Sequence, residues 1–203
     1  MAAIYHREDE LQRRINAFIC DAFALPDEDY YARMNLKHLL SVKSALSDIN
    51  NILTMRLTLS FLSWAARALT IDAADIQKLR DIILGTKPST NGYDIRCDGP
   101  IPFVAEVKCN VPINRGTKYG SAQRNGIVKD INSLMHGKAK ARAIDPISLK
   151  FMVFVDLQEV RVANQHFFAS NAAASCPVHF LAENEVPNNP DVVYGIYAKI
   201  GTF

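Results

Sequence analysis

Residues 91 to 110 read NGYDIRCDGPIPFVAEVKCN. Two short runs alternate with period two, Tyr93 to Cys97 and Phe103 to Cys109, around the turn residues Asp98, Gly99 and Pro100. Successive side chains on a strand point to opposite faces. Tyr93, Ile95 and Cys97 therefore share one face with Phe103, Ala105, Val107 and Cys109. Asp94, Arg96, Glu106 and Lys108 share the other. The odd face is expected to pack on the core and the even face to carry the charge. Paired residues of a hairpin must point to the same side, so their numbers add to an even value. A sum of 198 leaves only Gly99 to turn the chain. A sum of 200 leaves Gly99, Pro100 and Ile101 as a three-residue loop and sets Asp94 opposite Glu106, with Cβ atoms roughly 5 Å apart. A sum of 202 sets Asp94 opposite Lys108. In either register Asp94, Glu106 and Lys108 form one cluster.

Two carboxylates this close repel unless a cation lies between them or one is protonated. Hard oxygen ligands with few fixed partners suit Mg²⁺ or Mn²⁺. Such an ion holds a phosphate oxygen and lowers the pKa of a bound water. A lysine in the same space orients that water or steadies charge growing on phosphorus. These are the parts of metal-assisted phosphodiester hydrolysis.

The pattern of Asp94, eleven residues, then Glu106-Val107-Lys108 resembles the PD-(D/E)xK nucleases, the superfamily of type II restriction endonucleases and many repair nucleases. The resemblance covers about residues 72 to 155. It implies a restriction-endonuclease-like α/β core, with a central four-stranded mixed sheet flanked by helices. It also implies that Asp94 and Glu106 are metal ligands, that the Val107 carbonyl completes the metal shell, and that Lys108 is the catalytic lysine. Tyr93 stands where the name-giving proline would be. Gln123 and Lys129 fall where some members carry auxiliary polar residues. The implied activity is Mg²⁺-dependent hydrolysis of DNA, with Mn²⁺ as a substitute, by a restriction endonuclease acting as a homodimer. The rival is a catalytically inactive nucleic-acid-binding or assembly subunit with the same fold.

The rest of the chain is read around this hairpin. Its 203 residues, 49% hydrophobic and 22% charged, exclude a disordered or Gly/Pro-rich fibrous protein. The net charge is only +2, but residues 106 to 150 carry nine basic side chains against three acidic ones, while the remainder is acidic overall. A basic middle fits an anionic partner. Within it, Arg115, Lys118 and Tyr119 on the loop after the second strand, with Gln123, Arg124 and Lys129 on the following helix, are the candidate contacts to phosphates and bases, and Lys138 is a further candidate phosphate contact. Four cysteines without a CxxC pair, and a charged N-terminus without an apolar signal core, suggest a reducing, cytoplasmic setting. Arg56 and Arg67 interrupt the most apolar stretch, residues 52 to 69, which argues against a membrane span.

Residues 1 to 71 are expected to form a helical N-terminal region and residues 72 to 203 the nuclease-like core. Leu11, Ile15, Phe18 and Ile19 mark one helix, and Leu39, Val42, Leu46, Ile49 and Leu53 a longer one. Residues 57 to 61 alternate and so leave a strand open there. Asp72 caps a helix with Ile76, Leu79, Ile82 and Ile83 as its buried stripe. Residues 121 to 136 form a helix, 149 to 155 an all-apolar central strand, and 164 to 174 a further helix, with strands at 178 to 181 and 192 to 200. Asp75 and Asp81 are possible further acids for the metal site, with a solvent-facing role favoured for both. Cys176 and His179 lack a second pair for zinc, His136 reads as a helix-end residue, and GTKYGSA lacks the P-loop ending.

Overall fold

The computed structural model describes residues 6–87, 91–112, 116–170 and 177–201. The chain divides into two compact units, Met1–Ile49 and Asn50–Phe203. In the first, α1 (Arg7–Phe23) carries three acidic residues in its first turn, Glu8, Asp9 and Glu10, which favour the positive end of the helix dipole. It ends where Ala24 turns left-handed. Asn16 ties the next loop back, donating to Asp29 Oδ1 at 2.8 Å and accepting from the Tyr31 amide at 2.8 Å. A short 3-10 turn, Tyr31–Arg33, leads into α2 (Leu36–Ala68). No residue of α1 is buried, and the buried residues of α2 begin at Leu57.

The second unit is an α/β body around a five-stranded mixed sheet. Its elements are the end of α2, α3 (Ala73–Gly85), β1 (Ile95–Cys97), β2 (Phe103–Lys108), α4 (Ser121–His136), β3 (Leu149–Val155), α5 (Gln158–Phe168), β4 (Val178–Phe180) and β5 (Val193–Ala198). The strand order is β1-β2-β3-β5-β4. β1 runs antiparallel to β2, and every other neighbouring pair is parallel. Parallel neighbours need long crossovers, usually helical: α4 joins β2 to β3 and α5 joins β3 to β4, while residues 181–192 join β4 to β5 without a helix.

Helix α2 covers the odd-numbered face. Phe61 meets Phe103 and Phe151 with ring centroids 5.8 and 5.3 Å apart, and Trp64 meets Phe151 at 5.7 Å. All three phenylalanines are fully buried. Ring pairs of this kind contribute about 0.5–1.5 kcal/mol each beyond their burial. On the even face, α4 packs on β2 and β3. Phe154 packs there against Phe168 of α5 and Phe180 of β4.

Several expectations are corrected. Residues 57 to 61 are helix, not strand: Leu57 and Phe61 lie four apart on the buried stripe of α2. The sheet's core thus takes in residues before 72. Glu106 and Val104 are buried, so the even face of β2 is covered by α4 rather than left to solvent. Ile82 is exposed, leaving Leu79 and Ile83 as the buried residues of α3, whose N-cap is Asp72, accepting from the Ala74 amide at 2.7 Å. The helix expected at 164 to 174 begins at Gln158 and ends at Phe168.

Gly195, in the middle of β5, has the Phe180 ring lying over it. A Cβ there would stand 2.6 and 2.7 Å from two ring carbons and 2.9 Å from Val178 Cγ1. Gly195→Ala should therefore lift β4 and cost about 1–3 kcal/mol. Urea denaturation measures this, and an unchanged midpoint would refute the close packing of β4 on β5.

Candidate active site

The hairpin adopts the register whose paired numbers add to 200: Ile95 pairs with Ala105, Arg96 with Val104 and Cys97 with Phe103. Asp94 is the residue just before β1. Because β1 is so short, the Val107 amide lies beyond its last pair. Asp94 takes that amide, its Oδ2 accepting from the Val107 N–H at 2.7 Å. Solvent reaches Asp94 as a residue, but this bond turns its carboxyl inward beside β2.

Glu106 is 5% exposed. Its Oε1 meets the Lys138 ammonium at 2.5 Å. Lys138 follows Gly137, the residue that caps the end of α4 and whose φ of 88° suits glycine. Its ammonium also donates to the Gly92 carbonyl and lies 5.0 Å from the centre of the Tyr93 ring. The Tyr93 hydroxyl donates to the Ser133 carbonyl of α4 at 3.1 Å. Lys108, two residues along the same face from Glu106, is ion-paired with Asp130 of α4. The hairpin and α4 thus bring three acids, Asp94, Glu106 and Asp130, together with two lysines, Lys108 and Lys138.

Burial first, then the Asp94 charge, pushes the Glu106 carboxyl up from 4.5 to about 7, despite the nearby Lys138. Burial also raises the Asp94 pKa, against the pull of the Val107 amide and of both lysines. The Asp130 charge adds to the rise of both. With every group ionised, the cluster carries one excess negative charge.

Such a cluster favours a cation. Among the described residues no group of three or more His, Cys, Asp or Glu is arranged to hold a metal ion. Mg²⁺, however, is commonly held by one or two carboxylates, its own waters and a substrate phosphate. Asp94 and Glu106 fit that demand: they are oxygen donors held together against their mutual repulsion. Val107 enters the site through its N–H.

The other sequence candidates are placed as follows. Lys118 and Arg124 are exposed and, with His166, line a cleft of about 200 Å³. Tyr119 is buried, its hydroxyl donating to Asn164 Oδ1 at 3.0 Å, so it is not free to stack on a base. Gln123 is engaged at the start of α4, accepting from the Gly120 amide at 3.0 Å and donating to the Val111 carbonyl at 2.7 Å. Lys129 is exposed on α4. Arg115 lies outside the described residues. Asp75 pairs with Lys78 at 2.9 Å and Asp81 accepts from Gln77 at 2.8 Å. Asp130 and Lys138 are the residues that sequence reasoning did not assign to this cluster, Lys138 having been read as a phosphate contact. Asp130 sits three residues past Ile127 and beside Ile131, at the edge of the buried stripe of α4, which is the periodic signal that marks it. Lys138 carries no such signal.

No protein-family model, curated protein or solved structure matches the chain. The fold and the cluster define an α/β protein with helices on both faces of a five-stranded mixed sheet and a buried acid–lysine site on its antiparallel hairpin.

Folded Glu106 keeps its proton to about pH 7, whereas the unfolded chain releases it near 4.5. The folded state therefore binds the extra proton. Its stability from this group is full below about pH 4.5 and falls as the pH rises toward 7. Glu106→Gln has no proton to lose and should flatten that fall, by about 2–3 kcal/mol at most. Urea unfolding of both proteins at pH 5 and pH 8 measures the difference. Equal slopes would show that Glu106 titrates normally.

Proposed function

We propose that the chain is a metal-dependent endonuclease of the PD-(D/E)xK kind that hydrolyses DNA phosphodiester bonds, acting as a type II restriction endonuclease. The observation that carries this reading is the hairpin register, which sets Asp94 against Glu106 with Lys108 on the same face. The mixed sheet between helices supports it, although the sheet has five strands where that family's core has four. So does the order in which the hairpin, α4 and the all-apolar β3 follow one another.

In this reading Asp94 and Glu106 hold Mg²⁺ or Mn²⁺. The ion, when bound, supplies Lewis-acid polarisation of the phosphate and a water of lowered pKa. Lys108, aligned by Asp130, steadies the negative charge that grows on the phosphate oxygens as water attacks phosphorus and the ester P–O bond breaks. Exposed Lys118, Arg124 and Lys129 supply cationic contacts to the DNA backbone. For a homodimer, the exposed Leu36, Leu40, Leu46 and Ile49 of the first unit offer apolar surface.

One observation favours the second reading, a non-catalytic nucleic-acid-binding or assembly subunit. Both lysines of the cluster are already paired, Lys108 with Asp130 and Lys138 with Glu106. A plasmid-cleavage assay with and without Mg²⁺ separates the two. Asp94→Asn should abolish cleavage and keep DNA binding, because the isosteric amide preserves the fold and relieves the repelling pair. Lys108→Ala should lower turnover on the order of 100-fold or more, with far less effect on DNA affinity. Cleavage at the wild-type rate by either variant would remove the hairpin as the active site.

A further inference from the structure

The acid pair already has a cation, and it comes from outside the hairpin. Glu106 Oε1 is buried without a hydrogen bond of ordinary geometry, and what faces it is the Lys138 ammonium at 2.5 Å. We propose that Lys138 is a built-in counter-cation of the Asp94–Glu106 pair, and that a divalent ion must displace its ammonium to occupy the site. This rests on the nuclease reading of the same residues.

Three features carry it. First, the ammonium contacts the same carboxylate that a metal ion would need, and two cations at one oxygen repel strongly where solvent is scarce. Lys108 cannot take this role, since its ammonium is committed to Asp130 on α4. Second, Lys138 has partners other than Glu106: the Gly92 carbonyl and the face of the Tyr93 ring, itself anchored to Ser133. The ammonium can therefore leave the carboxylate without losing every favourable contact. Third, Lys138 reaches the site on a flexible stem from the segment just past α4, so its withdrawal needs no movement of the sheet. Lys138 fills the acid pair when metal is absent, which spares the fold an uncompensated buried charge, and it weakens metal binding in return.

Titration of the DNA-free full chain with Mn²⁺, followed by calorimetry at one fixed pH, tests this. Lys138→Met keeps an unbranched stem one atom shorter and removes the charge. It should bind Mn²⁺ about 10-fold more tightly than the wild type, or better. Lys138→Arg, which keeps the charge, should stay close to the wild type. Lys138→Gln, whose amide can retain the bond to the Gly92 carbonyl, replaces Lys138→Met if the latter does not fold, with the same tightening expected. Asp94→Asn should lose the binding and so place the ion. If wild type and Lys138→Met bind Mn²⁺ equally, or the variant binds more weakly, while Asp94→Asn abolishes binding, the counter-cation role falls and the metal site stands. If no protein in the series binds Mn²⁺, the metal reading and this proposal fall together.

Discussion

Glu106 is a carboxylate in the middle of a strand that is buried on both faces, and much of this structure answers that fact. An unpaired charge in such a place is costly, and removing the partner of a buried ion pair typically costs about 3–5 kcal/mol. The chain meets the demand in two ways. Lys138 is brought against Glu106 from the far end of α4, and the carboxyl's own affinity for a proton rises. Both responses depend on α4 lying over β2. The stripe that holds it there is Ile127, Ile131 and Leu134, all of them buried.

The opposite face of the sheet is built differently. There α2 sets Phe61 and Trp64 against Phe103 and Phe151, a set of ring contacts with no charge to satisfy. The two faces of β2 therefore divide the work: the odd residues anchor the strand in an apolar core, and the even residues are held in a small electrostatic network. Glu106 and Lys108 share one face of the strand, and it is α4 and the chain just past it that decide what each of them meets. The same helix, through Ser133, holds the Tyr93 ring on which the Lys138 ammonium rests.

This division bears on the proposed chemistry. In a nuclease the two lysines would be unequal, although both begin as partners of a carboxylate. Lys108 is carried by the strand and aligned by Asp130, a position suited to a group that acts on substrate charge. Lys138 is carried by the chain beyond a helix end and placed on the acid pair itself, a position suited to a group that must yield. Under the proposed function, the closed pairing that favours an inactive subunit would be the metal-free arrangement of the site.

The hairpin was legible from the sequence because its determinants are local. Period-two alternation assigned the faces, and turn length left two registers open, between which the pairing of Ile95 with Ala105 selects the one that sets Asp94 by Glu106. The spans of α4 and β3 were legible for the same reason: one has a 3.6-residue stripe and the other a continuous apolar run. What lies over a strand is not written in the strand. The burial of Glu106, the pairing of Lys108 with Asp130 and of Lys138 with Glu106, and the burial of Tyr119 all arise where α4 or α5 meets the sheet. Residues 57 to 61 show the same limit, since their alternation suits a strand until the continuity of α2 makes them helix. Local periodicity determined which residues share a face. Only the tertiary packing decided which charges meet across it, because an ion pair between residues 32 positions apart, as Glu106 and Lys138 are, is set by where a helix docks and not by the spacing of either partner's neighbours.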